Sequence, residues 1–198
     1  NGDRYIIHHY AYNMMMAAMS SSIVASCAAV FLFRTAAATW TPVGNITTPR
    51  RSLGLVAFSN GSLLAVGGYN DDEGALASTE LMLPSDTSTW RPSFPLAAPR
   101  YGAGVAMLDD DERVLVVGGT NAYAELLSTA EILDGGGWSA GPSLAAPRGW
   151  GPALCALNEK LHVMGGFDGS TFDVLSSTES LSLTGAGQQN WTSSNAAM

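Results

Sequence analysis

The sequence predicts an all-β fold of three four-stranded units behind a single N-terminal α-helix. Two observations carry the units. Four short elements return three times in the same order: Pro49-Arg50, Gly67-Gly68, Glu80 and Trp90; Pro99-Arg100, Gly118-Gly119, Glu131 and Trp138; Pro147-Arg148, Gly165-Gly166, Glu179 and Trp191. Successive Pro-Arg pairs are 50 and 48 residues apart, and successive Gly-Gly pairs 51 and 47. That period suits a unit of four strands rather than a pair of helices. The helix rests on a third observation: Asp, Glu, Lys and Arg are all absent between Tyr5 and Phe33.

Residues 1–39 form the N-terminal segment, with the helix over about 11–33. Its twenty-three residues, mostly Met, Ala, Ile, Val, Leu and Phe, would rise about 34 Å, enough to cross a hydrocarbon core of about 30 Å. Tyr5, Tyr10 and Tyr12 gather at one end as interfacial aromatics do, and Arg4 and Arg34 bracket the span. Ser20-Ser21-Ser22 interrupts it. Ala17, Ser21, Ala25 and Ala29 recur every fourth residue, a stripe of small side chains that would let a second helix approach within the bilayer. The competing reading is a secretory signal peptide cleaved after Ala36-Ala37-Ala38. Orientation is open: Arg34, Arg50 and Arg51 after the span argue one way. Three sequons, at Asn45, Asn60 and Asn190, argue the other if glycosylated. The compartment stays open too, an organellar membrane being one expectation.

Residues 40–198 hold the units, at about 40–92, 93–140 and 141–192. In the second, Tyr101 to Leu108 reads as a strand of small residues, and Asp109-Asp110-Asp111-Glu112 as a turn. Arg113-Val114-Leu115-Val116-Val117 is a β-branched run that predicts a strand buried on both faces, ended by Gly118-Gly119. Ser128 to Leu133 and Gly137-Trp138-Ser139 supply the third and fourth strands. Ser62 to Val66 and Leu161 to Met164 are the buried second strands of the other two units.

A double glycine closing an apolar strand, a Glu about twelve residues on, a Trp after it and Pro-Arg opening the next unit together resemble the kelch repeat, over about residues 40 to 192. The resemblance implies a partial β-propeller of three four-stranded blades. It also implies that first strands line a central channel, while loops between second and third strands shape a partner-binding face. Three blades cannot close a ring, so the expectation is a larger propeller, or a partner protein over the open side. The glycines suit close backbone approach, and each Trp suits packing of one blade on the next. Arg50, Arg100 and Arg148 precede Glu80, Glu131 and Glu179 by 30, 31 and 31 residues, which predicts structural ion pairs made across blades.

The chain carries a formal charge of −8, with only 13% charged residues. Its nine basic residues are scattered, Arg50-Arg51 being the one adjacent pair, so nucleic acid is not an expected partner. Catalysis is not expected either. Some kelch-like propellers are copper radical oxidases with paired His and Tyr around a Cys, whereas the repeats here hold the single histidine His162, too few ligands for copper or zinc. No cofactor is expected: the acidic turns Asp71-Asp72-Glu73 and Asp109 to Glu112 read as solvated rather than Ca²⁺-binding. His8 and His9 read as interfacial rather than as ligands to a haem or chlorophyll metal. Cys27 and Cys155 are expected to be free, buried thiols.

Binding remains. The loops Tyr69 to Ala77, Thr120 to Leu127 and Phe167 to Leu175 differ while the scaffold repeats, as recognition loops on rigid strands do. They offer Tyr69, Asn70, Tyr123, Phe167, Asp168 and Phe172 to a partner. By the kelch resemblance, the residues after each Pro-Arg reach the channel mouth and add Arg51, Tyr101 and Trp150, though packing of Tyr101 and Trp150 inside a blade is an equal alternative. Helix and loops together predict a non-enzymatic protein–protein interaction module, anchored in lipid as an accessory subunit of a membrane complex of the respiratory or photosynthetic kind. The rival expectation is a secreted or surface glycoprotein, a copper radical oxidase lacking its active-site blades.

Overall fold

The computed structural model describes residues 42–108, 113–169, 171, 173–184 and 190–194. The predicted helix over 11–33 and its stripe Ala17, Ser21, Ala25 and Ala29 lie outside them, as do Cys27, His8, His9, Asp109 to Glu112 and Phe172. Among the described residues no helix is long and apolar enough to cross a membrane.

Three antiparallel four-stranded sheets account for the chain from residue 54 onward. Blade I is β1 (Gly54–Ala57), β2 (Leu63–Val66), β5 (Thr79–Leu83) and β6 (Asp86–Pro92). Blade II is β7 (Gly104–Met107), β8 (Val114–Val117), β9 (Ala130–Asp134) and β10 (Gly137–Gly141). Blade III is β11 (Ala153–Leu157), β12 (Lys160–Met164), β13 (Thr178–Ser182) and β14 (Thr192–Ser194). A two-stranded hairpin, β3 (Tyr69–Asn70) with β4 (Gly74–Ala75), stands in the second-to-third-strand loop of blade I.

The first strands β1, β7 and β11 lie side by side. Small residues make that convergence possible: a Cβ at Gly54 would run into Val105, and one at Gly104 would meet the Leu154 Cβ at 3.0 Å. Away from this end the blades separate enough to hold large side chains. Val56, Leu64, Val66 and Leu96 pack on Val114, Val116 and Leu133 to form the first seam. Leu115, Val117 and Leu144 pack on Leu161, Val163, Leu181 and Trp191 to form the second. Alternation along β8 thus sends Val114 and Val116 to one neighbour and Leu115 and Val117 to the other, so the whole strand is buried as its β-branched run predicts.

Blade III departs from that expectation. On β12 only Leu161 and Val163 are buried; His162 is half-buried and Met164 exposed. His162 pairs with Cys155 and Met164 with Ala153, placing these residues on the face turned away from blade II. Cys155 is consequently an exposed free thiol, contrary to its predicted burial.

The recurring Arg and Glu pair, but not across blades. Arg50 meets Glu80 at 2.6 Å, Arg100 meets Glu131 at 2.8 Å and Arg148 meets Glu179 at 3.1 Å, each inside its own unit. It is the arginine backbone that spans the seam. The Arg100 amide donates to the Leu76 carbonyl and its carbonyl accepts from Gly68, both in blade I, while its side chain donates to the Gly118 and Thr129 carbonyls in blade II. Arg148 repeats this between blades II and III. The glutamates hold the linkers: Glu131 accepts from the Ala97 and Ala98 amides, and Glu80 from those of Thr47 and Thr48. Each Trp indole also donates to a linker carbonyl, Trp90 to Gly44, Trp138 to Phe94 and Trp191 to Pro142.

Burial acts to lower the Arg100 guanidinium pKa, and Glu131 opposes it without cancelling it. At Glu80 burial acts to raise the carboxyl pKa, but the Thr48 and Thr47 amides, the Thr47 hydroxyl and Arg50 outweigh it and hold the group below its ordinary value of 4.5. A lowered native pKa means that the folded protein binds fewer protons than the unfolded chain. Glu80 therefore stabilises the fold fully above pH 4.5, and this contribution is lost as pH falls through the native value. Urea midpoints measured from about pH 6 down to about pH 3 should fall less steeply for Glu80→Gln than for the wild type; parallel curves would count against it.

Candidate functional site

The residue after each Pro-Arg pairs with the residue after each Gly-Gly: Arg51 with Tyr69, Tyr101 with Thr120, and Gly149 with Phe167. Each pair exchanges two backbone hydrogen bonds of 2.9 to 3.1 Å. These bridges bring the two sets of predicted contact residues to one end of the blades. The next residue in each unit is left-handed, Ser52 at φ 53°, Gly102 at 58° and Trp150 at 54°. Gly102 donates to the Ser52 carbonyl and Gly151 to the Gly102 carbonyl, both at 2.8 Å. A backbone ladder thus runs from blade to blade beside the converging first strands.

On this ladder stand two aromatic pairs. Tyr69 of blade I and Tyr101 of blade II meet edge to face at 5.2 Å, and the Arg51 guanidinium lies 4.6 Å over the Tyr69 ring. Trp150 stacks on Phe167 at 5.2 Å, the rings 18° from parallel. Trp150 is 66% exposed, so it does not pack inside a blade, whereas Tyr101 is half-buried beside Tyr69. Tyr123, at 85% exposure, stands at the tip of the blade II loop.

Trp150 borders two cavities. One, of about 510 Å³, is lined by Ser52, Tyr101, Gly102 and Trp150 at the converging first strands. The other, of about 650 Å³, is a groove between the loops of blades II and III, with Leu126 and Pro147 beside Trp150 and Phe167, and Glu125 and Asp168 also lining it. Leu126 has room because its neighbours are glycines: a Cβ at Gly149 would overlap it, and one at Gly169 would press on it at 3.1 Å.

Asn70 and Asp168 are turned back into their own loops. The Asn70 Oδ1 accepts from the Asp72 and Glu73 amides, and the Asp168 Oδ1 from the Thr171 amide at 3.4 Å. Asn121, in the same repeat position, accepts from the Tyr123 and Glu125 amides and donates to the Glu125 carboxylate at 2.8 Å. Sequence reasoning overlooked Asn121, Glu125, Leu126 and Pro147. The signal for Asn121 was present, an Asx two residues after every Gly-Gly. Nothing local marks Leu126, whose role depends on the neighbouring blade.

The three loops hold six carboxylates, Asp71, Asp72, Glu73, Glu125, Asp168 and Asp173, and neither Lys nor Arg. Arg51 is exposed beside them and pairs with Asp71 at 2.8 Å. Among the described residues no group of three or more His, Cys, Asp or Glu could hold a metal ion.

No protein-family model matches the chain. Over 115 residues it is 35% identical to an F-box/kelch-repeat protein of Arabidopsis thaliana, a match that takes in 56% of this chain and 30% of the relative. Among solved structures it is similar to that of YjhT, with a TM-score of 0.67 at 14% identity over 78% of this chain and 54% of the other. The chain spans less than a third of its curated relative and about half of that structure. The structural likeness speaks for the fold alone. Together these comparisons support a kelch-like fold, three four-stranded antiparallel blades that resemble a kelch propeller, and a kelch-repeat-like chain is consistent with a protein-interaction module.

Proposed function

We propose that the protein is a non-enzymatic interaction module that recognises a partner protein with the loop end of its blades, at Arg51, Tyr69, Tyr101, Tyr123, Trp150 and Phe167. One observation supports this above the others: Trp150 occupies a left-handed backbone position that the other units fill with Ser52 and Gly102, and it is two-thirds exposed there. A bulky residue at such a φ costs about 1–3 kcal/mol. Stacking on Phe167 returns about 0.5–1.5 kcal/mol. The fold alone therefore gains little from a tryptophan at that position, whereas exposed aromatics are the usual anchors of protein interfaces.

The same two magnitudes set the test. Trp150→Gly should leave stability within about 1–2 kcal/mol of the wild type, since strain relief and lost stacking oppose each other. Partner affinity should fall by about thirtyfold, equivalent to about 2 kcal/mol at a central aromatic. Quantitative affinity purification of the full chain from its native membranes should lose the same partners with Trp150→Gly and Tyr123→Ser, and keep them with Arg91→Ser on the outer strand β6. Identical partner sets for all three variants would remove the loop end from consideration.

In this proposal the apolar segment at 11–33 spans a membrane and packs through Ala17, Ser21, Ala25 and Ala29 against another helix. The blades then belong to a larger ring, and the chain serves as an accessory subunit of a membrane complex. The reading rests on an uncharged stretch of bilayer length joined to an interaction domain. Alkaline carbonate extraction tests it: the chain should stay with the membrane pellet, and its release into the soluble fraction would exclude a spanning helix.

A further inference from the structure

We propose that a second copy of this chain closes the ring, blade III of each copy docking on blade I of the other. The inference rests on the reading that the blades belong to a larger ring, and names what completes it.

The two inner seams are made with the same backbone bonds. At the first, the Gly68 amide donates to the Arg100 carbonyl and the Arg100 amide to the Leu76 carbonyl. At the second, the Gly119 amide donates to the Arg148 carbonyl and the Arg148 amide to the Leu127 carbonyl. A glycine and a leucine of one blade thus clasp the arginine of the next. The open side of blade III carries the glycine and the leucine, Gly166 and Leu175, and the open side of blade I carries the arginine, Arg50. Among the described residues the Gly166 amide, the Leu175 carbonyl and both backbone groups of Arg50 form no backbone hydrogen bond. Each open side offers what the other lacks.

The side chains match in the same way. Leu55 of blade I and Leu157 and Met164 of blade III are exposed, yet they stand at positions that the inner seams cover. Val105 and Leu154 take the position of Leu55 and pack into the first and second seams. Val66 and Val117 take that of Met164, and Leu108 that of Leu157, and all three are buried. Ala153 stands where Gly54 and Gly104 let the first strands touch, so its Cβ sets this contact wider, and Met164, longer than valine, reaches across it. His162 and Ser180 replace Leu115 and Ile132, which leaves the face only partly apolar, as suits a contact made between folded chains. A contact between two different faces repeats from copy to copy until a ring closes. The chain matches 54% of the YjhT structure, so two copies supply about one structure of that fold.

Light scattering on the full chain in detergent should give a protein mass that rises from one chain to two between about 0.1 and 100 µM, and no further. Leu55→Asp and Met164→Lys each put a charge into both seams of the pair and should weaken it about tenfold or more. Both sites are exposed in the single chain, so urea midpoints of the dilute variants should match the wild type. Mixing the two variants leaves one seam uncharged and sets Lys against Asp in the other, and should restore pairs that neither variant forms alone. In a Cys27→Ser background, Cys155, an exposed thiol on the open face of blade III, should react with a thiol reagent more slowly as pairs form. A single chain at about 100 µM, a mass growing beyond two chains, or pairs indifferent to both charged substitutions would each overturn the proposal. If Gly165→Ala is even so damaging in the native assembly, where its methyl group would meet the arginine carbonyl of any docked blade, other blades continue the ring and only the second copy is lost. If it is mild there too, both readings fall.

Discussion

Replacing either Arg100 or Glu131 by alanine is expected to cost the fold about 3–5 kcal/mol, the range for breaking a buried pair from one side. Both side chains lie at the first seam, almost wholly out of water. Removal of Glu131 strands more than a guanidinium. The amides of Ala97 and Ala98, which bond its two carboxylate oxygens at 2.7 and 3.2 Å, lose their acceptor as well. Removal of Arg100 in turn leaves the Gly118 and Thr129 carbonyls without its donors. Against a total stability of about 5–15 kcal/mol for a domain, either change is enough to shift the urea midpoint strongly. An isolated buried pair can often be exchanged for apolar residues at no loss. Here the double replacement Arg100→Met with Glu131→Leu should stay destabilised by at least about 2 kcal/mol, because the Ala97 and Ala98 amides and the Gly118 carbonyl lose their partners, while the Thr129 carbonyl keeps only the Gly118 amide. The exposed pair is the control. Arg51 and Asp71 are both largely solvated, and Asp71→Ala should change stability by less than about 1 kcal/mol. Near-equal effects at the two pairs would mean that burial at the seam is not what gives Arg100 and Glu131 their weight.

The residues that proved legible in the sequence are those whose partners are backbone groups of fixed place in the repeat. Each Pro-Arg, Gly-Gly, Glu and Trp makes the same bond in every unit, so recurrence alone exposed them. Spacing did not show where those bonds lie relative to the seams: a separation of about thirty residues fits a partner in the next blade or in the same one. Arg100 and Arg148 do both, side chain in one blade and backbone on the other. Burial at the edge of the array was less legible still. Arg113 to Val117 and Leu161 to Met164 both read as second strands, but among the described residues only the former has a blade on each side, so His162, Met164 and Cys155 ended up facing outward. At the candidate site, Tyr123 and Trp150 were recognisable as aromatics in variable positions. The groove beside Trp150 was not, since Leu126 and Gly149 come together only when two blades dock.

Gly118→Ala and Gly165→Ala should separate the cost of a backbone conformation from the cost of a closed seam. Both glycines are left-handed, at φ 69° and 66°, so a side chain at either should cost about 1–2 kcal/mol in local conformation. They differ in what lies above them. A Cβ on Gly118 would stand 2.5 Å from the Arg148 carbonyl oxygen, the atom that accepts the Gly119 amide at 2.8 Å. Its own carbonyl accepts from Arg100 at 3.1 Å, so one substitution disturbs the anchors of two arginines. At Gly165 the nearest atom would be the Leu175 carbonyl oxygen at 3.6 Å, ordinary contact. Gly118→Ala is therefore expected to lower stability by about 3 kcal/mol or more, and Gly165→Ala by about half that or less. Urea denaturation of the isolated chain checks the difference. The same pair reports on what covers blade III in the cell, because a further blade docked as blade III docks on blade II would bring an arginine carbonyl over Gly165. If Gly165→Ala becomes as damaging as Gly118→Ala in the native assembly while remaining mild in the isolated chain, blade III sits against such a neighbour. If it stays mild in both, no blade docks on blade III in that way, and the partner must be sought at the loop end instead.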